Sequence, residues 1–135
     1  MATAAIPYKT NFTNSKDTYQ AALRSLFSGK PEDTEADLSR LFTPTFTQED
    51  GDGKRDFPAF VAHIRRLREI LPSVTLTVTH FLRDGAQVAD RHASSTIRPD
   101  GTVSYAETYM FGAVADDGRL EWIAEVVRRT NKALD

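Results

Sequence analysis

The chain has no cysteine, which excludes a disulfide framework, a thiolate nucleophile, an iron–sulfur site and a Cys-type zinc site. It has no apolar run near the ~20 residues that cross a bilayer. Neither sign of charge dominates: 17 Lys and Arg against 19 Asp and Glu give a formal net charge of −2. So even a balance leaves no electrostatic footprint for nucleic acid or an anionic membrane. The start, Met1-Ala2-Thr3-Ala4-Ala5-Ile6-Pro7, lacks the basic and apolar regions of a secretory signal, and the last residues carry no lipidation or retention signal. The expectation is a cytoplasmic protein, in which the acceptor pattern Asn11-Phe12-Thr13 has no consequence. Only 3 histidines occur, without H-E-x-x-H spacing, and no phosphate-binding glycine motif is present. Asp50-Gly51-Asp52-Gly53 has the look of a calcium loop, but Lys54 and Arg55 fall where a ligand and the turn glycine belong. No metal and no cofactor are expected.

What is present suffices for one domain. The 135 residues are 40% hydrophobic and 10% aromatic, enough to bury a core without staples. Residues 1–13 are polar and non-periodic, an N-terminal arm. Tyr19, Ala22, Leu23, Leu26 and Phe27 make one apolar stripe of a helix over 15–28, closed by Gly29. A second helix is predicted over 32–42, with Leu38, Leu41 and Phe42 inward and Pro44 as its stop. Residues 45–49 then form a short strand before the turn at 50–53. Phe57, Phe60, Val61, Ile64, Leu67 and Leu71 hold the helical period for four turns, with Asp56 as cap, Pro58 in the first turn and Pro72 as terminator. Its Arg65-Arg66-Leu67-Arg68 run is assigned to the solvated side.

From Ser73 the period becomes two. Four strands are predicted, beginning at Ser73, Gln87, Val103 and Leu120, joined by turns at Asp84-Gly85, Pro99-Asp100-Gly101 and Asp116-Asp117-Gly118. Helices followed by an antiparallel meander define an α+β class. The last two strands carry large side chains on both faces: Tyr105, Tyr109 and Phe111 against Met110 and Val114, and Leu120 and Trp122 against Ile123 and Val127. A sheet with one face on water would alternate more cleanly. One face is therefore expected to wrap the helices and the other to meet a second copy, giving a homodimer.

The element order is similar to the NTF2-like cone, in its SnoaL-like branch, with three N-terminal helices packed in a curved antiparallel sheet and a single domain over 14–135. The last third is more specific. Tyr105-Ala106-Glu107-Thr108-Tyr109-Met110-Phe111, the turn Asp117-Gly118 and Ile123-Ala124-Glu125-Val126-Val127 resemble a signature of fungal SnoaL-like pathway enzymes, approximately Y-x-N-E-Y-M-W, then D-G, then E-F-x-D. Glu107, Thr108 and Arg128 stand where that signature has Asn, Glu and Asp. The resemblance implies a cofactor-independent isomerase or cyclase of meroterpenoid, polyketide or indole-alkaloid type, with a hydrophobic natural product as substrate. It also places an Arg near Arg40.

Tyr105, Glu107, Tyr109 and Phe111 alternate and so share a face, and the turn at Asp116-Asp117 would bring Glu125 roughly opposite Tyr109. If that face is concave, Glu125 becomes a desolvated acid/base, and the phenols of Tyr105 and Tyr109 hydrogen-bond substrate oxygens. Glu107 and Phe111 would complete the binding surface. The other reading makes the tyrosines cross-strand packing and Glu125 a surface partner of an arginine. Arg40 either holds a substrate oxygen or pairs with Asp37 on the surface. His80 alternates with Val74, Leu76 and Val78, as a rim or core histidine. Asp90 and His92 share a face, either as an acid–base pair or as a surface pair. His63 is assigned no role. The expected reaction is a rearrangement begun by proton transfer to oxygen, such as epoxide opening with a semipinacol-type 1,2-shift. A non-catalytic binding module and a dehydratase or epoxide hydrolase are the alternatives, and His80 and His92 beside Asp90 in the cup would favour the latter.

Overall fold

The computed structural model describes residues 8–131. Three helices and six strands follow one another as α1 (Lys16–Ser28), α2 (Thr34–Ser39), β1 (Phe42–Asp50), β2 (Gly53–Asp56), α3 (Phe57–Ile70), β3 (Ser73–Asp84), β4 (Gln87–Ile97), β5 (Val103–Val114) and β6 (Leu120–Thr130). The strands form one curved, unclosed sheet in the order β2-β1-β6-β5-β4-β3. Helices α1 and α3 lie in its concavity. This is the predicted α+β cone, with one departure: β1 runs parallel to β6, so the sheet is mixed. Among the described residues, no helix is long and apolar enough to cross a membrane.

Both long helices begin where the sequence provides a cap. The Ser15 hydroxyl accepts from the Thr18 N–H, and the Asp56 carboxylate accepts from the Ala59 N–H with Pro58 in the first turn. Their apolar stripes meet the sheet. Tyr19, Leu38, Phe46 and Leu120 are completely buried, and Phe42, Phe46 and Phe60 form a ring cluster with centroids 4.5–5.1 Å apart. Such aromatic contacts add about 0.5–1.5 kcal/mol each beyond the area they bury.

The predicted second helix is shorter than its pattern suggested. A 3-10 turn at Pro31–Asp33 leads into α2, which ends at Ser39, and the chain is already in β1 at Phe42. Pro44 therefore does not stop a helix but lies inside a strand. It sits where the β1–β6 register shifts, between Phe42 and Thr47, a stretch that tolerates a residue without an N–H. The arginine run also departs from expectation. The Arg68 side chain has no exposed surface; it donates to the carbonyls of Ser25, Leu26 and Lys30 and pairs with Asp37 at 3.0 Å. It satisfies carbonyls at the end of α1, where a cation is favoured.

Of the predicted arm, residues 1–7 lie outside the described residues. The remainder is docked: Phe12 and Thr13 are buried, and the Thr10 N–H donates to the Asp117 carbonyl at 2.9 Å. Gly118 makes this approach possible. Its φ is +90°, and a Cβ there would sit 1.8 Å from the Thr10 carbonyl oxygen.

Candidate active site

The inner face of the sheet is set by β5, whose Ala106, Thr108, Met110 and Val114 point at the helices. Tyr105, Glu107, Tyr109 and Phe111 alternate with these and occupy the outer face. Glu125 pairs with Met110, and it is Val126 that stands opposite Tyr109. A one-residue difference in register exchanges the faces of a strand. Glu125 is thus in the cavity, and the four β5 residues grouped with it from sequence are on the other side of the sheet.

His80 is also outside. The register of β3 against β4 skips between Val78 and His80, so Thr79 is an extra, bulged residue. His80 and Leu82 turn outward, and Phe81 turns inward to pack on Tyr19 at 4.5 Å between centroids. Arg40 follows α2 on the surface, its side chain 71% exposed and paired with Asp37 at 3.7 Å. Of the two readings of Arg40, the surface ion pair with Asp37 is the one found, and the residue does not reach the cavity. Of the nine predicted site residues, Glu125, Asp90 and His92 line or back the cavity; Tyr105, Tyr109, Glu107, Phe111, His80 and Arg40 do not.

The cavity has two parts. An apolar inner chamber of about 120 Å³ lies between α1, α3 and the sheet, walled by residues such as Leu23, Leu26, Phe60, Ile64 and Met110. A more polar vestibule of about 380 Å³ opens outward past Ser94, Thr96, Ser104 and Thr108. Phe27, His63, Leu67, Leu76, His92 and Glu125 border both, making one cleft with its ionisable groups at the waist.

On one wall, His92 Nδ1–H donates to Asp90 Oδ1 at 2.7 Å, and the Tyr19 hydroxyl donates to Asp90 Oδ2. This use of Nδ1 leaves His92 Nε2 for the cavity. Burial, and then the Asp90 charge, push the Tyr19 phenol far above its ordinary value, so it remains a donor. On the other wall, burial raises the Glu125 carboxyl above the usual range, opposed by a hydrogen bond from Gln48 and by the nearby His92. Gln48 Nε2–H donates to Glu125 Oε1 at 2.6 Å, while Gln48 Oε1 accepts from Arg55 at 2.8 Å. Arg55 therefore fixes which end of the amide faces Glu125. Asp90, Met110 and Glu125 are consecutive in the ladder across β4, β5 and β6, so the backbones of the two carboxylates are about 10 Å apart at two strand spacings. His63, on α3, borders both parts of the cavity; burial, then the Arg55 charge, lower its pKa and favour the neutral ring.

Tyr19, Gln48 and His63 carried no functional signal in the sequence. Tyr19 lay in the apolar stripe of α1, where a phenol is indistinguishable from another large core residue. Gln48 and His63 are placed by tertiary packing alone.

The outer-face carboxylate is a different case. Glu107 is 1% exposed, covered by a single layer of side chains, and pairs with Arg91 at 2.6 Å and Arg128 at 3.4 Å. The Tyr109 hydroxyl and the Arg91 guanidinium hold its carboxyl down to about 2. Its Oε1 has no partner.

No protein-family model matches the chain, and no curated protein matches it in sequence. Solved structures match it in fold. An NTF2-like protein of unknown function from Exiguobacterium superposes with TM-score 0.67 at 16% identity, covering 84% of this chain and 98% of that one. IdmH, a candidate polyketide cyclase from Streptomyces antibioticus, gives TM-score 0.61 at 16% identity, with 79% and 89% covered. A hypothetical protein of ketosteroid isomerase-like fold from Catenulispora acidiphila gives 0.63 at 15%, with 78% and 81% covered. The fold is NTF2-like.

Proposed function

We propose that the protein is a cofactor-independent isomerase or cyclase that moves protons on a hydrophobic, oxygen-bearing small molecule, as do the fungal secondary-metabolite enzymes its last third resembles. The observation that carries the reading is a desolvated Glu125 facing the Tyr19–Asp90–His92 relay across an apolar chamber. Two titratable groups on opposite sides of a bound molecule can give a proton to one atom and take a proton from another. Glu125, with its pKa raised, gives a proton to a substrate oxygen. His92 Nε2 takes one from carbon or hydroxyl, and the Asp90 carboxylate stabilises the imidazolium that forms, as in other oriented histidine bases. Tyr19 holds the second Asp90 oxygen and so fixes the carboxylate.

Within this class, protonation of an epoxide or carbinol oxygen by Glu125 starts a 1,2-shift, and the apolar chamber shields the cation from water. The His92–Asp90 pair favours a second reading, dehydration, in which His92 removes a proton beside a carbonyl and Glu125 protonates the departing hydroxyl. Both readings need Glu125 to give a proton and His92 to take one, from oxygen in the first and from carbon in the second, and exchange on carbon reports whether that pair works. The test is deuterium exchange at the α-carbons of a hydrophobic ketone, 2-tetralone, followed by NMR in heavy water. The wild-type protein should accelerate exchange, and Glu125→Gln should lower the acceleration by roughly 10²–10⁴-fold. Ketone binding with no exchange above the buffer rate would leave a binding module and overturn the reading.

The proposed assembly is a homodimer through the outer sheet face. Leu82, Phe111 and Val126 are 64–72% exposed there, beside half-exposed Tyr109 and Trp122. The neighbouring Arg91 and Arg128 are paired with the buried Glu107, which leaves a mainly apolar patch that a second copy can cover across a two-fold axis.

A further inference from the structure

Resting on that reading of the cavity, we infer that its substrate is an acid: an amphiphile whose ring or alicyclic head fills the inner chamber and whose carboxylate lies in the vestibule against Arg129, with Arg98 beside it. The two parts of the cleft differ in chemistry along one axis. The chamber, at about 120 Å³, is close to the engineered apolar cavity of about 150 Å³ that takes up benzene. It is walled by aliphatic and aromatic side chains. The vestibule is larger, is lined by hydroxyl groups, and has two arginines on its wall.

The charge there is one-sided. Glu125, at the waist, is the only acidic residue bordering the vestibule among the described residues, and its raised pKa reduces its charge. A cationic mouth on a chain of net charge −2 is a local feature that the overall balance conceals. The two arginines are not equivalent. Arg98 donates to the Ser104 hydroxyl at 3.0 Å and has Asp100 within electrostatic reach in the β4–β5 turn. The Arg129 side chain has no hydrogen-bond or ion-pair partner among the described residues. Its planar fork suits bidentate recognition of a carboxylate, and Ser94, Thr96 and Thr108 can donate to the same group.

The sheet sets the length of the molecule. Glu125, Val127 and Arg129 follow along the inner face of β6, so four residues separate catalytic group and anchor, about 13 Å of strand. Less the reach of the arginine side chain, that leaves room for several methylenes between head and carboxylate. The acid group is therefore an anchor remote from the reacting atoms, positioning the head between Glu125 and His92.

The probes are 6-phenylhexanoate, its methyl ester and the shorter phenylacetate, with binding followed by isothermal titration and by the His92 and Glu125 side-chain resonances. In wild-type protein the long acid should bind roughly tenfold tighter than its ester and should weaken as salt is added. Phenylacetate should gain far less from its carboxylate, because it cannot span waist and mouth together. Arg129→Gln should bring acid and ester to within about twofold of each other, with Arg98→Gln having a smaller effect of the same sign. Equal binding of long acid and ester by the wild-type protein, with both shifting the His92 and Glu125 resonances, would overturn the acid anchor while leaving the cavity reading intact. Binding of either probe without any shift of those resonances would overturn both. A preference for the acid that survives loss of both arginines would place the carboxylate elsewhere and reject the inference.

Discussion

The two faces of one sheet hold a glutamate each, and the protein treats them oppositely. Glu125 on the inner face is surrounded by protein and meets one amide donor; its carboxyl is driven up. Glu107 on the outer face is hidden by a thin cover of Tyr109, Arg91 and Arg128, and its carboxyl is driven down to about 2. Glu107 is the less exposed of the two, since Glu125 borders the cleft and is partly accessible, so accessibility alone does not order them. The partners do: two cations and a phenol hold one ionised, while at the other desolvation outweighs the Gln48 amide and the nearby His92 and makes it ready to change its charge. Poise for acid–base chemistry thus belongs to the inner face, and charge pairing across a surface belongs to the outer one.

The largest test of this contrast is catalytic. Glu125→Gln should lower exchange or turnover by roughly 10²–10⁴-fold, whereas Glu107→Gln should change it by less than about twofold. An equal loss from both variants would erase the distinction. A matched pair of phenols sharpens it in stability. Tyr19→Phe leaves the buried Asp90 short of a donor and should cost about 1–3 kcal/mol in urea unfolding. Tyr109→Phe removes one partner of Glu107 but leaves Arg91 and Arg128 paired with it, and should cost under about 1 kcal/mol. Rate measurements on Tyr109→Phe should remain near wild type.

Assembly separates the faces again. Phe111→Asp should shift the sedimentation profile from dimer to monomer, while a cavity substitution such as Glu125→Gln leaves it unchanged. A wild-type protein that sediments as a monomer at all accessible concentrations would remove the outer face from the account. The smallest effect is in the pH dependence of folding. A raised folded pKa means that ionising Glu125 opposes folding, so stability falls as pH rises from the unfolded value of about 4.3 through the folded one. Glu125→Gln should then melt slightly higher than wild type at neutral pH, with the gain gone in acid. Glu107 has the reverse sign: its contribution is complete above about 4.3 and disappears as pH falls towards about 2.

Much of this fold was legible in the sequence. The stripes of α1 and α3, their caps, and the four long strands follow from local periodicity and turn chemistry. What escaped was non-local. The parallel pairing of β1 with β6 joins segments separated by some 70 residues, and no local pattern announces it. The bulge at Thr79 reverses the alternation of β3, sending His80 out and Phe81 in. The register irregularity where β5 turns into β6, between Ala113 and Val114, sets Glu125 opposite Met110 rather than Tyr109. Since both sheet faces are apolar, alternation alone could not say which one faced the helices. Glu125 does border the cavity, but the β5 residues that alternation groups with it lie on the other side of the sheet, and His92, which shares the cavity with it, is on a strand that alternation cannot connect to it. Tyr19, the third member of the relay with Asp90 and His92, was concealed in a core stripe.

The most direct measurement is a carbon-13 NMR titration of the glutamate side-chain carboxyls, with Glu125 and Glu107 assigned by their Gln variants. The two midpoints should fall on opposite sides of the ordinary value of about 4.3, Glu125 above it and Glu107 near 2. Both carboxyls titrating together near that ordinary value, or Glu125 the lower of the two, would contradict the contrast between the two faces.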